Sequence, residues 1–341
     1  MINLYVTEPG VLRRAPAGSP IGETVVWIDM VDPSMEELQR VDQALGVDIP
    51  TKEEMREIEA SSRLYEEDGA LYMTATVLSS VETGSPVASA ITFVLTHGRL
   101  ITVRHTDPLP FRAFTTHVDR HPGAVTGAEG VLFGLLEAIV DRLADVLELV
   151  GAEIDQVSQT VFEAGRRTRG ITPGNGGKAG KTAKSSQRPP APDYEALIAA
   201  IGRMGDLTSK IRESLVSIGR LAGFAGRNLR GRASKTGLAA MKTITRDVVS
   251  LSDHASYLAN KLSFMLDATL GLIQIEQNGI IKIFSVVAVV FLPPTLIASI
   301  YGMNFEVMPE LSWHLGYPLA LLMMVGSAVL PYWLFKRRGW L

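Results

Sequence analysis

Apolar residues recur along this chain in three rhythms, and each predicts a different kind of element. In the first third, short runs rich in β-branched and aromatic residues read as strands: Thr24–Ile28, Leu71–Ser79, Ala90–Leu95 and Leu100–Arg104, the last two hinged at His97-Gly98. Asp32-Pro33 reads as a helix start, Asp as N-cap and Pro at N1, for a helix through Leu45, and Thr51 with Glu54 makes a second capping box. From Ala128 to Ala164 the step lengthens to three and four residues, through Leu132, Leu135, Leu136, Ile139, Leu143 and on to Val161, which is one face of a long amphipathic helix. The same period returns from Tyr194 to about Leu229 and, after Gly231, runs on without a break.

The third rhythm is continuous. Gly279–Tyr301 carries one charge, Lys282, and Tyr317–Phe335 carries none. Each stretch is about 20 residues, enough to span roughly 30 Å of hydrocarbon as a helix. The segment between them is too short to fold alone, so it is a connection. It contains no Lys or Arg, whereas Lys336, Arg337 and Arg338 directly follow the second stretch, so the positive-inside rule puts both termini in the cytoplasm. Met1–Gly10 has no basic region followed by an apolar one and hence no signal-peptide pattern.

The resulting plan is an α+β cytoplasmic domain over 1–125, then a helical hairpin over 126–230 interrupted by a linker at 165–192. A stalk helix over 231–278 leads into transmembrane helix 279–302, an external loop 303–316, transmembrane helix 317–335 and a basic tail 336–341. The linker holds Gly, Pro, Ser and seven Lys or Arg, with no acid and no apolar period, and reads as flexible. A continuous helix of 65 to 70 residues would be about 100 Å long and cannot be stable alone in water, so it needs partner helices, its own copies included. Asp253, Asn260, Asp267 and Gln274 stand seven residues apart along it. That seam fits an aqueous axis in an oligomer, and it fits a solvated outer face equally well.

Composition narrows the chemistry. The 341 residues are 46% hydrophobic and 20% charged, too large for one core and too polar for a many-span membrane protein. With no cysteine there is no disulfide, thiolate zinc site or cysteine nucleophile, so a metal meets oxygen or imidazole. A net charge of −3 without aromatic-basic interleaving gives no case for nucleic acid. Asn175–Thr182 comes within one residue of a phosphate-binding loop, but its first glycine is Asn, no strand precedes it and no apolar-faced helix follows. Among the six histidines His117 and His121 stand four apart, but Val118 takes the place of the glutamate that follows the first histidine in a catalytic zinc helix, so catalytic zinc has no support and no catalytic residue emerges.

Tyr301-Gly302-Met303-Asn304, continued by Phe305-Glu306-Val307-Met308-Pro309-Glu310-Leu311, resembles the signature loop of CorA-type magnesium transporters. Phe291-Leu292-Pro293, Trp313, Gly316-Tyr317-Pro318 and the basic end with Trp340-Leu341 follow the same pattern, and Trp27-Ile28-Asp29, Ile91–Leu95 and Leu100–Arg104 resemble the family's cytoplasmic domain. The resemblance implies a homopentameric funnel in the cell (inner) membrane, with the first membrane helix lining a central pore and Gly302, Met303 and Asn304 at its outer mouth.

Physics makes that role reasonable. Magnesium sheds water reluctantly, so a channel recognises it through its waters, and the neutral amide of Asn304 accepts their hydrogen bonds without trapping the ion. Gly302 lets the backbone turn, and Met303 braces the loop. Counting back from Asn304, the resemblance places Ser299, Thr295, Leu292, Ala288, Phe284, Ile281 and Asn278 on the axis, with Asp267 below. Phe284, Ile281 and Leu292 form apolar rings that gate by dewetting, and Asn278 and Asp267 receive the ion. Leu292 stands where the family often has Met, and Phe284 where it often has an aliphatic residue, which points to a tighter gate. Glu306 and Glu310 concentrate cations at the mouth. Mg2+ is then both cargo and regulator, held between cytoplasmic domains by carboxylates such as Glu66, Glu67, Asp68 and Asp253, and the partners are further copies of the chain, the bilayer and divalent cations. Two alternatives are a zinc, cobalt or nickel transporter of the same fold, and a non-conducting, membrane-anchored cytosolic sensor.

Overall fold

The structure, a computed structural model, describes all residues except 9–10, 17, 122, 124, 126, 169–192, 232–233, 305–307, 310–312 and 339–341, and no side chains at 8 and 164–168. Two compact units emerge, one of Met1–Gln159 with Glu195–Leu266 and one of Thr160–Tyr194 with Asp267–Leu341.

The first unit is built on seven strands: β1 (Ile2–Glu8), β2 (Val11–Arg14), β3 (Val25–Val31), β4 (Leu64–Glu67), β5 (Ala70–Ser79), β6 (Val87–Thr96) and β7 (Arg99–Arg104). They form one sheet in the order β2-β1-β3-β7-β6-β5-β4, in which β3 and β7 run parallel and the other neighbours antiparallel. Side-chain alternation splits the residues between two cores. Ile28, Met30, Tyr72, Val94, Ile101 and Val103 pack with Leu38 and Val41 of helix α1 (Met35–Leu45). Trp27, Leu71, Met73, Phe93 and Leu100 pack on the opposite face with Phe111 and Phe114 of α3 (Leu109–Arg120).

Three long helices complete that second core: α4 (Gly127–Thr168), α5 (Tyr194–Asn228) and α6 (Lys235–Tyr301). The amphipathic stripe of α4 from Leu132 to Ile154 is buried, as are Ile211, Leu215, Ile218 and Leu221 of α5 and Met241, Ile244, Val248, Leu258, Leu262 and Met265 of α6. Each such side chain contributes about 1.5–3 kcal/mol, which is what holds helices of this length in water. Lys261 of α6 pairs with Asp155 of α4 at the rim.

The helix start at Asp32-Pro33 is displaced. Ser34 is the N-cap: the Glu37 amide donates to Ser34 Oγ at 3.3 Å and the Ser34 amide donates to Glu37 Oε2 at 3.0 Å. A cap at Asp32 would have put Met35 at N3, with no acceptor to close the box, so Ser34 with Glu37 wins. Asp32 turns instead, with φ 43, and its carboxylate meets His105 Nδ1 at 2.8 Å. Thr51 and Glu54 do bond reciprocally, but only a 3-10 turn, Glu54–Arg56, follows. The hinge at His97-Gly98 is a two-residue hairpin with φ 45 and 73, both left-handed as such a tight turn requires.

A polar network crosses the buried parallel pair β3–β7. Asp29 Oδ1 accepts from Thr102 Oγ1 at 2.9 Å and from Arg104 Nε at 3.0 Å, and Asp29 Oδ2 accepts from a second guanidinium nitrogen of Arg104 at 2.9 Å. Trp27 Nε1 donates to Thr102 Oγ1 at 3.0 Å, and the Arg104 guanidinium lies 4.8 Å from the Phe111 ring centroid. Both charges are almost wholly out of water, so each depends on the other. Asp29→Ala would leave Arg104 buried with only the half-exposed Asp107, 2.8 Å from its other terminal nitrogen, as counter-charge, at a cost of about 3 kcal/mol, or about 10 °C in melting temperature. Thermal unfolding of the purified variant checks this, and an unchanged midpoint would show that the network is dispensable.

Candidate functional site

In the second unit, α6 from Asp267 onward and α7 (Gly316–Arg337) are, among the described residues, the helical stretches long and apolar enough to cross a membrane. Their large side chains are mostly uncovered within the chain, with Phe284 70% and Leu292 66% exposed. Lys336 and Arg337 close α7, and the Arg337 guanidinium lies 5.2 Å from the Trp333 ring centroid. That aromatic-basic pairing suits a headgroup layer.

The exposure pattern on α6 has a direction. Val286 is buried, and Val290, Pro293, Pro294, Ile297 and Tyr301 are half-buried, at steps of three and four. This is the spacing of a face covered by another helix. The expected pore residues Ile281, Phe284, Ala288, Leu292, Thr295 and Ser299 are all exposed. At 3.6 residues per turn they centre about 180° from the covered stripe. This far side mixes the small or hydroxylated Ala288, Thr295 and Ser299 with the large Ile281, Phe284 and Leu292, whereas exposed residues on its flanks, such as Val287 and Leu296, are apolar.

Polar groups in the apolar stretch are satisfied locally. Thr295 Oγ1 donates to the Phe291 carbonyl and Ser285 Oγ to the Ile281 carbonyl, each at 2.8 Å. Pro293 and Pro294 sit inside the helix and remove the amide donors that the Val289 and Val290 carbonyls would otherwise receive. Asn278 Oδ1 accepts from Gln274 Nε2 at 3.4 Å, and Asn278 and Asp267 are both exposed. Asp253, Asn260, Asp267 and Gln274 are likewise exposed along their heptad seam.

The helix ends at Tyr301, with the Gly302 amide donating to the Ala298 carbonyl at 2.9 Å and the Met303 amide to the Ile300 carbonyl at 3.2 Å. Gly302 is not among the residues with positive φ, so left-handed backbone is not its role. A Cβ built there would lie 3.1 Å from the Ala298 oxygen, so glycine is the residue this tight exit accommodates. Met303 is 48% exposed in the single chain. Asn304 is exposed immediately beyond the helix end. Glu306 and Glu310, expected at the mouth, lie outside the described residues, as does most of the linker 165–192.

The expected regulatory carboxylates are dispersed. Glu66 and Glu67 are exposed on β4, an edge strand, and Asp253 is exposed on α6. Asp68 and Gly69, with φ 48 and 76, make the two-residue turn from β4 to β5, so the Asp-Gly hairpin preference already accounts for Asp68. Among the described residues no group of three or more His, Asp or Glu is arranged to hold a metal.

One acidic grouping went unnoticed in the sequence. Glu137, Asp141 and Asp145 stand at four-residue steps on α4, a legible signal, and line a cavity of about 830 Å³ with Glu129, Arg142 and His117. Burial first, then Asp145 and Asp247, pushes the Asp141 carboxyl above its ordinary range.

Comparison with known proteins gives a consistent answer over the whole length. A family model described as CorA-like Mg2+ transporter protein matches residues 22–170 and 195–337. The chain is 34% identical over 342 residues to the magnesium transport protein CorA of Pasteurella multocida, covering 100% of both, and 35% identical over 316 residues to that of Escherichia coli K12, covering 93% and 92%. Its fold matches the complete structure of the CorA magnesium transporter from Methanocaldococcus jannaschii with a TM-score of 0.73 at 18% identity, over 100% of this chain and 99% of that one.

Proposed function

The chain belongs to the CorA-like Mg2+ transporter family, and we propose that it carries hydrated Mg2+ across the cell membrane through a pore formed by α6 of several copies, most simply five. The observation that carries this reading is the direction of exposure on α6. A covered face formed within the chain leaves the opposite face, with its small and hydroxylated residues, free to line a shared axis that ends at Gly302, Met303 and Asn304.

Each residue then has a task set by its chemistry. Asn304 accepts hydrogen bonds from water on the ion, so the ion need not be stripped. Ser299 and Thr295 keep the path below wet, whereas Leu292, Phe284 and Ile281 narrow it to apolar rings whose wetting sets conductance. Asn278 and Asp267 meet the ion at the cytoplasmic end. Both termini are cytoplasmic, consistent with Lys336 and Arg337 in the last turn of α7. Glu306 and Glu310 raise the local cation concentration outside, an effect that salt screens.

Asn304→Ala should abolish Mg2+ uptake into liposomes while the oligomer stays assembled. Full uptake by the assembled variant refutes the role of the loop.

The absence of native cysteine permits a second test. In intact cells, a membrane-impermeant thiol reagent should leave Ser19→Cys unlabelled. In open-pore conditions in liposomes it should label Ala288→Cys and block uptake, while Val286→Cys stays unreactive. Labelling of position 19 from outside, or equal reaction at 286 and 288, contradicts the arrangement.

Regulation rests on like-charge repulsion. Carboxylates brought together between copies repel one another until a divalent cation lies among them, so Mg2+ favours the closed assembly only as far as it binds that state better. Glu66→Gln, Glu67→Gln and Asp253→Asn together should shift inhibition by cytoplasmic Mg2+ to at least about tenfold higher concentration, a coupling of about 1.4 kcal/mol. Currents from excised patches read this directly, and an unchanged inhibition curve would assign sensing to other carboxylates.

A further inference from the structure

A cavity of about 500 Å³ lies in the first unit between α5, β5 and the short helix α2 (Ala60–Arg63). It exists because β4 runs out before β5 does. The β4–β5 ladder pairs Leu64 with Met73 and goes no further, so from Thr74 onward β5 has no strand on that side. Helix α5 covers the open edge with hydroxyls: Ser217 Oγ accepts from the Thr76 amide at 2.9 Å, and Ser214 Oγ donates to the Thr76 carbonyl at 2.8 Å. The gap left between edge and helix is lined by Arg63, Arg212, Arg220, Thr76, Ser209 and Ser217.

Three arginines line one small space with a single carboxylate, Glu213, among the lining residues. Among the described residues none of the three arginines forms an ion pair; those that form are elsewhere. Arg63 donates through one terminal nitrogen to Thr76 Oγ1 at 3.2 Å, while its Nε is buried with no hydrogen-bond partner. A buried donor left unpaired costs about 1–3 kcal/mol, more when charged, so its persistence points to a partner the chain does not itself provide. Burial, opposed by Glu213 and reinforced by Arg220, lowers the pKa of Arg63, which marks the charge as under-compensated.

We propose that this cleft binds a soluble ligand bearing a pyrophosphate-like group, held by Arg63 and Arg220 with Arg212 and the hydroxyls of Ser209 and Ser217. Arginine forks match phosphate oxygens two bonds at a time, and hydroxyls donate to the remaining ones. Among the described residues the apolar wall amounts to Ala60, Leu64 and Val216, too little for an acyl chain, and no aromatic ring lines the cleft to stack on a base. The volume falls in the range of small-molecule sites and exceeds what one phosphate fills. Recognition is therefore of the linked phosphates rather than of whatever they carry. The site is independent of the α6 pathway and does not rest on the transport reading.

The test is calorimetric titration of the full-length assembled protein with inorganic pyrophosphate in metal-free buffer at two salt concentrations. Saturable binding, weakened by salt, is expected, with at least a tenfold loss in Arg63→Gln and in Arg220→Gln. Arg203→Gln, an exposed arginine of α5 outside the cleft, should bind like the unmodified protein. Arg220 is exposed, so its variant folds even where loss of Arg63 disturbs the packing. No saturable binding by the unmodified protein, or binding untouched by both cleft substitutions, overturns the proposal.

Discussion

The need to keep apolar surface from water organises this chain, and it is met in two different ways along one helix. Up to Met265, α6 buries its apolar stripe against residues of its own chain. Beyond Asp267 the same helix carries Ile280, Ile283, Phe291 and Leu296, all exposed. Leaving such side chains in water forgoes about 1.5–3 kcal/mol each, so this stretch needs a solvent or neighbours that the chain lacks. Lipid supplies the solvent and further copies supply the neighbours.

That division explains which residues are polar and where. In hydrocarbon an unpaired carbonyl or hydroxyl costs several kcal/mol, so Ser285 and Thr295 return their hydroxyl protons to carbonyls one turn back. Pro293 and Pro294 are half-buried on the covered stripe, and the carbonyls they deprive of donors, those of Val289 and Val290, lie one turn before them. The opposite side carries Ala288, Thr295 and Ser299 between the larger Ile281, Phe284 and Leu292. A helix built this way tolerates irregular backbone on one side while presenting a regular surface on the other.

The sequence was most legible where a single rhythm decides the outcome. Continuous apolar stretches gave both membrane-length helices, the three-and-four step from Leu132 to Ile154 gave the buried face of α4, and His97-Gly98 gave its hairpin. It was least legible where partners are distant in the chain. Nothing near Asp29 announces Arg104, because their bonds exist only once β3 and β7 lie side by side, and the sheet order itself has no local signature. Strands β1, β2 and β4 are edge or near-edge elements whose short runs carry little alternation, and α3 begins at Leu109-Pro110 without a side-chain cap. Asp68 has a local role as well, since with Gly69 it makes the turn from β4 to β5.

The chemistry at the helix exit follows from what conduction requires. A divalent ion in contact with a carboxylate at about 4 Å is held by about 8 kcal/mol at an effective dielectric of 20, twice the value for unit charges. Each 1.4 kcal/mol of depth is tenfold in escape, so one such contact at the narrowest point slows release by about a millionfold. A neutral amide that addresses the hydration shell gives orientation without that depth. Asn304 directly beyond the tight turn at Gly302 fits this demand, with the carboxylate of Asp267 far down the helix. On the proposed reading, charge is suited to gathering ions where they do not have to pass singly, and an uncharged amide to the mouth, where residence time would limit flux.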